Sequence, residues 1–188
     1  TLSQKDIEIK KFCLDNFIHK GFPNRKEEDW KFSDLSQIIK KNIGELSFFC
    51  DYTSTNKVDT SVFVDGLEHN KIVFINGRIE KIDFVYEKKN QIEIVDQSET
   101  INKFSYNNSL SDLNNAFTNK SFKILVKKGY KLIKPLIIYH TTNSKIWSKN
   151  INLKLDFELE KDSSLRIIDF FNENSEKNFL NIFYNFEL

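Results

Sequence analysis

Methionine is absent from all 188 residues, and the chain begins at Thr1. A chain of this kind is expected to lack its natural start. Cysteine is nearly absent: Cys13 and Cys50 stand far apart and form no C-x-x-C. That excludes a disulfide framework of the secreted kind and disfavours a zinc or redox motif. Arginine occurs only at Arg25, Arg78 and Arg166. No apolar run approaches the roughly 18 residues that a membrane helix needs. The first residues, Thr1 to Asp6, hold no apolar signal core. Charge of one sign is missing too. Lys plus Arg is 28 against Asp plus Glu at 27, a net charge of +1. A strongly basic nucleic-acid binder is thereby disfavoured, and the cytosol is the expected compartment.

What is present is a globular composition, 39% hydrophobic and 29% charged. Lys, Asn, Ile and Phe are heavily used, while Gly is 5 and Pro is 2. This reads as AT-rich coding bias, so lysine and asparagine are discounted as functional signals. The 14% aromatic content, mostly Phe, reads as core material.

The spacing of Ile9, Phe12, Cys13 and Phe17 predicts a first helix. Gly21 can cap it in the left-handed region, and Pro23 prevents its continuation. Ser33 and Asp34 are N-cap candidates for a second helix through Leu35, Ile38 and Ile39, ending at Gly44. Ser47 to Thr60 reads as a linker, and Val62–Val64 as a short strand. Ile72–Ile75, Asn76-Gly77 and Arg78–Ile82 predict a hairpin, because Asn-Gly supplies the two positive φ angles of a type I′ turn. Ile92–Val95 is a further strand, and Ser111 a cap for a helical turn through Leu113, Ala116 and Phe117.

Serial strands follow at Phe122–Val126, Leu132–His140, Ile151–Leu159, Leu165–Phe171 and Leu180–Leu188. In the third, Ile151, Leu153, Leu155, Phe157 and Leu159 alternate without error with polar residues. That predicts one dry and one wet face. The pattern fits a sandwich, a barrel or a β-solenoid. The last strand alternates up to Leu188, with no cap after it. The expectation is a fragment whose natural chain runs on. The expected divisions are 1–46, a helical region; 47–110, a linker and hairpin region; and 111–188, the first part of the β core.

No phosphate loop, G-x-G-x-x-G, G-x-S-x-G or H-E-x-x-H is present. Cys13 lies on an apolar helix face and reads as a small buried hydrophobe. Cys50 reads as a half-buried structural thiol. His19 suits a helix C-terminus, where a cation complements the dipole. His69 lies in a turn and reads as solvated. His140 ends an apolar strand, where a side chain can be presented at a rim, though a structural role is the plainer reading. Asp156, Glu158 and Glu160 share one strand face. Carboxylates so placed can do acid–base work, but beside Lys154 a solvated outer face is the expectation. Lys127-Lys128 and the scattered aromatics make no nucleic-acid surface. No catalytic, cofactor-binding or metal-ligating residue is nominated.

Three stretches acquire meaning together. The first is Gly21-Phe22-Pro23 followed by Lys26 to Leu35, with Trp30-Lys31-Phe32-Ser33-Asp34-Leu35 at its end. The second is Ile72 to Arg78. The third runs Asp112-Leu113-Asn114-Asn115-Ala116-Phe117, then Phe122 to Gly129, then Lys134-Pro135-Leu136-Ile137-Ile138. In order and spacing, from Gly21 to about Phe171, they resemble the SufB/SufD family of the SUF iron–sulfur cluster assembly system. The first stretch is most similar to the SufD branch. Phe32-Ser33 stands where the family commonly has Tyr-Thr, and Asn119-Lys120-Ser121 where an Asp-Gly turn is common.

The resemblance implies a helical region followed by a right-handed parallel β-helix, here truncated on its C-terminal side. It implies a non-enzymatic scaffold subunit, partnered by a SufB-like scaffold and a SufC-like ATPase, with the iron–sulfur cluster assembled by the whole complex. The family's partner contacts and proposed assembly residues lie in a C-terminal half that has no counterpart before residue 188. No cluster ligand is carried over, and tight iron binding by this chain is not expected. The alternatives are a β-solenoid or β-sandwich binding module and a carbohydrate-active β-solenoid enzyme.

Overall fold

The first helix, α1, spans Gln4–Lys20 and starts at a capping box. The Ser3 hydroxyl accepts from the Asp6 N–H, and the Asp6 carboxylate accepts from the Ser3 N–H, so two orphan donors are satisfied reciprocally. The helix ends as predicted. Gly21 adopts φ 72°, and its N–H donates to the Phe17 carbonyl at 2.7 Å. Cys13 and Phe17 are buried, but Phe12 is 55% exposed, so the apolar stripe is narrower than its spacing implied. Helix α2 spans Leu35–Asn42, and Asp34 caps it by accepting from the Gln37 N–H at 2.9 Å. Helix α3 spans Ser109–Phe117. Its cap is Asn108, not Ser111: the Ser111 N–H donates to Asn108 Oδ1 at 2.8 Å.

The structure is a computed structural model, and it describes residues 3–48, 63–97, 108–118, 120–142, 147–173 and 177–188. Among the described residues there are eight strands: β1 Asn70–Ile75, β2 Arg78–Asp83, β3 Ile92–Asp96, β4 Ser121–Val126, β5 Leu136–Thr142, β6 Asn150–Leu159, β7 Ile167–Glu173 and β8 Phe179–Glu187. The predicted β5 began at Leu132; the strand starts only after Pro135. Most of the expected linker, together with Val62 of the expected short strand, lies outside the described residues, and Phe63 and Val64 are not in a strand.

The strands form two four-stranded sheets, ordered β2-β1-β5-β7 and β3-β4-β6-β8. The Asn76-Gly77 turn, with φ of 52° and 78°, sends β2 back antiparallel to β1. Likewise β3 runs antiparallel to β4. The remaining pairs are parallel: β5 lies beside β1, and β6, β7 and β8 each meet the strand two before them as the chain alternates between the sheets. This corrects the expected right-handed parallel β-helix. A solenoid stacks equivalent coils along one axis. Here the antiparallel pairs β1–β2 and β3–β4 make both sheets mixed, and the described residues form an α/β fold of two mixed sheets and three α-helices. Strands from the expected 47–110 region are built into the same sheets as those from 111–188.

The main core lies between the sheets. Ile72, Phe74, Leu136 and Ile138 of one sheet meet Phe122, Ile124, Val126, Leu153, Leu155 and Phe157 of the other. A second cluster, Val73, Ile75, Ile137 and Tyr139, covers the far face of the first sheet. The far face of the second sheet lies under α3, which itself packs on α1. Among the described residues no helix is long and apolar enough to cross a membrane.

Candidate functional site

The most chemically capable cluster lies at the β7–β8 side of the molecule. Phe74, His140 and Phe171 form one register row of the first sheet. Their rings stack: Phe74 to His140 at 5.5 Å and 10°, His140 to Phe171 at 5.0 Å and 19°. This sandwich fixes the imidazole plane. His140 Nε2 lies 3.0 Å from the Tyr184 hydroxyl and 3.3 Å from Asp169 Oδ1. The Tyr184 hydroxyl donates to the same Asp169 oxygen. Burial and this donation to Asp169 push the Tyr184 phenol well above its ordinary value. The His140 side chain is 2% exposed, Asp169 29%. His140 and Asp169 belong to one sheet and Tyr184 to the other, so the triad is a polar link across the core. A small recess, with a volume of about 10 Å³, adjoins it, with His140, Thr141, Thr142, Leu153 and Ile182 among its walls.

The sequence singled out His140 and missed its partners. Asp169 and Tyr184 sit at unremarkable positions in alternating strands, and only the parallel register brings them together.

The polar face of β6 is a second cluster, and here the expectation is corrected. Asp156 was expected to be solvated but is 3% exposed, and Lys154 beside it is 5% exposed. Among the described residues neither Asp156 oxygen has a hydrogen-bond partner of ordinary geometry, though the Asn185 side chain lies near enough to favour the charged form. Burial raises the Asp156 carboxyl and lowers the Lys154 ammonium, with the opposite charges partly offsetting both. Only Glu158 and Glu160 lie nearer the surface. Glu158 pairs with Lys123 at 2.6 Å, and this bond raises Lys123. Glu160 accepts from the Lys128 N–H at 2.7 Å.

The same face is buried further along by asparagines. Asn114 of α3 donates to the Leu153 and Asn181 carbonyls at 3.1 and 2.7 Å. Asn181 donates to the Leu110 carbonyl at 2.9 Å and to Asn152 Oδ1 at 3.0 Å. Asn152 donates to Asn150 Oδ1 at 2.6 Å. This network pins α3 to β6 and β8. It is structural polar satisfaction, not a site.

His69 is corrected as well. It is 5% exposed, with Nδ1 2.6 Å from the Leu67 carbonyl and Nε2 2.8 Å from the Tyr139 hydroxyl. The Val64 N–H also donates to that hydroxyl, at 3.0 Å. Burial raises the Tyr139 phenol. His19 stands exposed in the last turn of α1, as expected. Cys13 is a buried thiol, and Cys50 lies outside the described residues. Lys127 pairs with Glu93 at 3.1 Å.

Glu87 was not foreseen at all. Its carboxylate accepts from Asn70 Nδ2 and the Tyr130 hydroxyl, both at 2.6 Å, and from the Ile133 and Lys134 N–H groups, both at 3.1 Å. Burial alone would push this carboxyl up; the four hydrogen bonds outweigh it and hold it below the usual range. A lowered folded value means stability that is present above the unfolded value of about 4.3 and lost as pH falls through the folded one. Glu87→Gln therefore melts lower than wild type at pH 7. The gap between the two melting temperatures narrows as pH falls below about 4. Parallel melting curves from pH 7 to 3 check this; a constant gap contradicts it.

Among the described residues no group of three or more His, Cys, Asp or Glu side chains could hold a metal ion. Compared with known proteins, the chain matches no family model and no curated protein.

Proposed function

We propose that the chain is a SufD-like scaffold subunit of an iron–sulfur cluster assembly complex, not itself an enzyme. It acts in the cytoplasm with a SufB-like scaffold and a SufC-like ATPase, and the cluster is assembled by the complex as a whole. The observation that carries this reading is the ordered motif set from Gly21 to about Phe171. The fold that the resemblance implied is not the one found, so the reading rests on those motifs and on their places in the molecule.

Those places are joints. Gly21 closes α1 with its positive φ. Gly77 turns the β1–β2 hairpin, and a Cβ there would stand 3.0 Å from Ile151 Cγ2. Leu113 is fully buried, and Asn114 ties α3 to two strands. Strands β7 and β8 close one side of their sheets and have no partner on that side among the described residues. Phe171 and Phe186 on them are 55% and 53% exposed. Unpaired edges with exposed aromatics suit a subunit that works through protein partners.

The test is made in the native host. Depleting the full gene product is expected to lower the activity of iron–sulfur enzymes while leaving their protein levels intact, and re-expression restores it. Unchanged iron–sulfur enzyme activity on depletion counts against the reading. A second reading, a plain binding module, is favoured by the two facing sheets; it predicts no iron–sulfur phenotype.

A further inference from the structure

We propose that His69 is a pH-operated latch: with its imidazole neutral it holds residues 64–69 against β5, and protonation at Nε2 releases them. The inference goes beyond the scaffold reading and does not depend on it. The hydrogen bonds run in one direction. The Val64 N–H donates to the Tyr139 hydroxyl oxygen at 3.0 Å. His69 Nδ1 lies 2.6 Å from the Leu67 carbonyl, which can only accept, so Nδ1 carries the ring proton. Nε2 is therefore the acceptor for the Tyr139 O–H, at 2.8 Å. The segment is thus fastened at both ends, at Val64 and at His69, while Asp65 to Glu68 between them are exposed.

Protonation breaks this arrangement. An imidazolium donates from both nitrogens, so Nε2–H then faces the Tyr139 O–H, donor against donor. Turning the hydroxyl to accept from both Nε2 and Val64 buries its own proton without an acceptor in the chain of bonds, on a residue that is 1% exposed. The closed segment holds one proton fewer than the open one, and acid favours opening. The charged groups around the ring supply no substitute acceptor. Asp65, whose charge reaches the Tyr139 hydroxyl, is exposed, and Glu68 pairs with Lys134 at 2.6 Å. Lys71 of β1 and Lys81 of β2 stand over the Phe63 ring at 4.8 and 5.9 Å, with Asp83 3.9 Å from Lys81. From β7 comes Phe170, which is uncharged. Among the described residues neither ring nitrogen of His69 is bonded to a carboxylate. Opening uncovers the apolar far face of the first sheet, where Val64 packs against the cluster of Val73, Ile75, Ile137 and Tyr139.

The experiment uses the full chain, with amide exchange and imidazole shifts read by NMR from about pH 8 to about pH 5, the span in which histidine changes charge. Exchange rates are corrected for their intrinsic pH dependence. Protection of the Val64 amide is expected to fall about tenfold or more across this span, with the same midpoint as the His69 ring shifts. The β1 and β5 amides keep their protection. Glu87 does not interfere, because its contribution is lost only below about pH 4.3. His69→Gln is expected to abolish the pH dependence, since its amide does not titrate. Tyr139→Phe is expected to leave Val64 unprotected throughout the span. Constant Val64 protection in the wild-type chain overturns the proposal. So does a pH dependence that persists in His69→Gln. A loss of protection that spreads to β1 and β5 also overturns it, because the sheet then unfolds rather than releasing the segment.

Discussion

Leu155→Ala lowers the unfolding free energy by about 2–5 kcal/mol. Leu155 is fully buried at the centre of β6, with Phe122 and Tyr184 as its neighbours in parallel register on either side. Its side chain faces the opposing sheet in the core cluster with Ile72, Phe74 and Ile138. Truncation removes three heavy atoms, and the flanking strands hold the walls apart. The loss therefore includes a cavity term as well as a transfer term. Val95→Ala is the control: Val95 is 44% exposed on β3, and its change is expected to stay within about 0.5 kcal/mol. Urea denaturation measures both, with the midpoint shifting and the slope constant. A loss below about 1 kcal/mol at Leu155 would mean that the sheets do not close over it.

The second large effect belongs to Lys154 and Asp156. Asp156→Ala is expected to cost about 1–3 kcal/mol, because it removes a charge that partly offsets the burial of the Lys154 ammonium. Lys154→Met combined with Asp156→Leu is neutral or stabilising by about 1–4 kcal/mol. The reason is desolvation. Both side chains are at least nine-tenths buried, and among the described residues neither carboxylate oxygen has a hydrogen bond of ordinary geometry to replace its water. Attraction between the two charges offsets that cost only in part. A double-mutant cycle in urea gives the coupling directly. Purely additive single effects would show that the two groups do not depend on each other.

The same pair shows where sequence reasoning stops. The alternation of Ile151, Leu153, Leu155, Phe157 and Leu159 identified the core face of β6, and all but Leu159 are fully buried. The pattern says that the two faces differ; it does not say that the polar one is wet. Helix α3 lies over part of that face, so Asn150, Asn152 and Lys154 are buried too. Discounting asparagine as compositional bias hid Asn114, whose side chain anchors α3. The local devices were legible because their causes are local: the Gly21 helix exit, the Asp34 cap and the Asn76-Gly77 turn each need only a few neighbouring residues. Pairing is not local. The serial strands were read as coils, whereas the β2 and β3 pairs are antiparallel and both sheets are mixed. His69 and the His140 cluster depend on the same long-range register, which brings residues 70 and 44 positions apart into hydrogen-bonding distance.

The central claim is that this chain is a scaffold subunit, and co-purification tests it most directly. The full gene product is tagged and co-expressed with the SufB-like and SufC-like proteins of the same genome, and the mixture is resolved by gel filtration. The account predicts one stoichiometric three-component complex. Elution of the tagged protein alone, while the other two still pair, would contradict it.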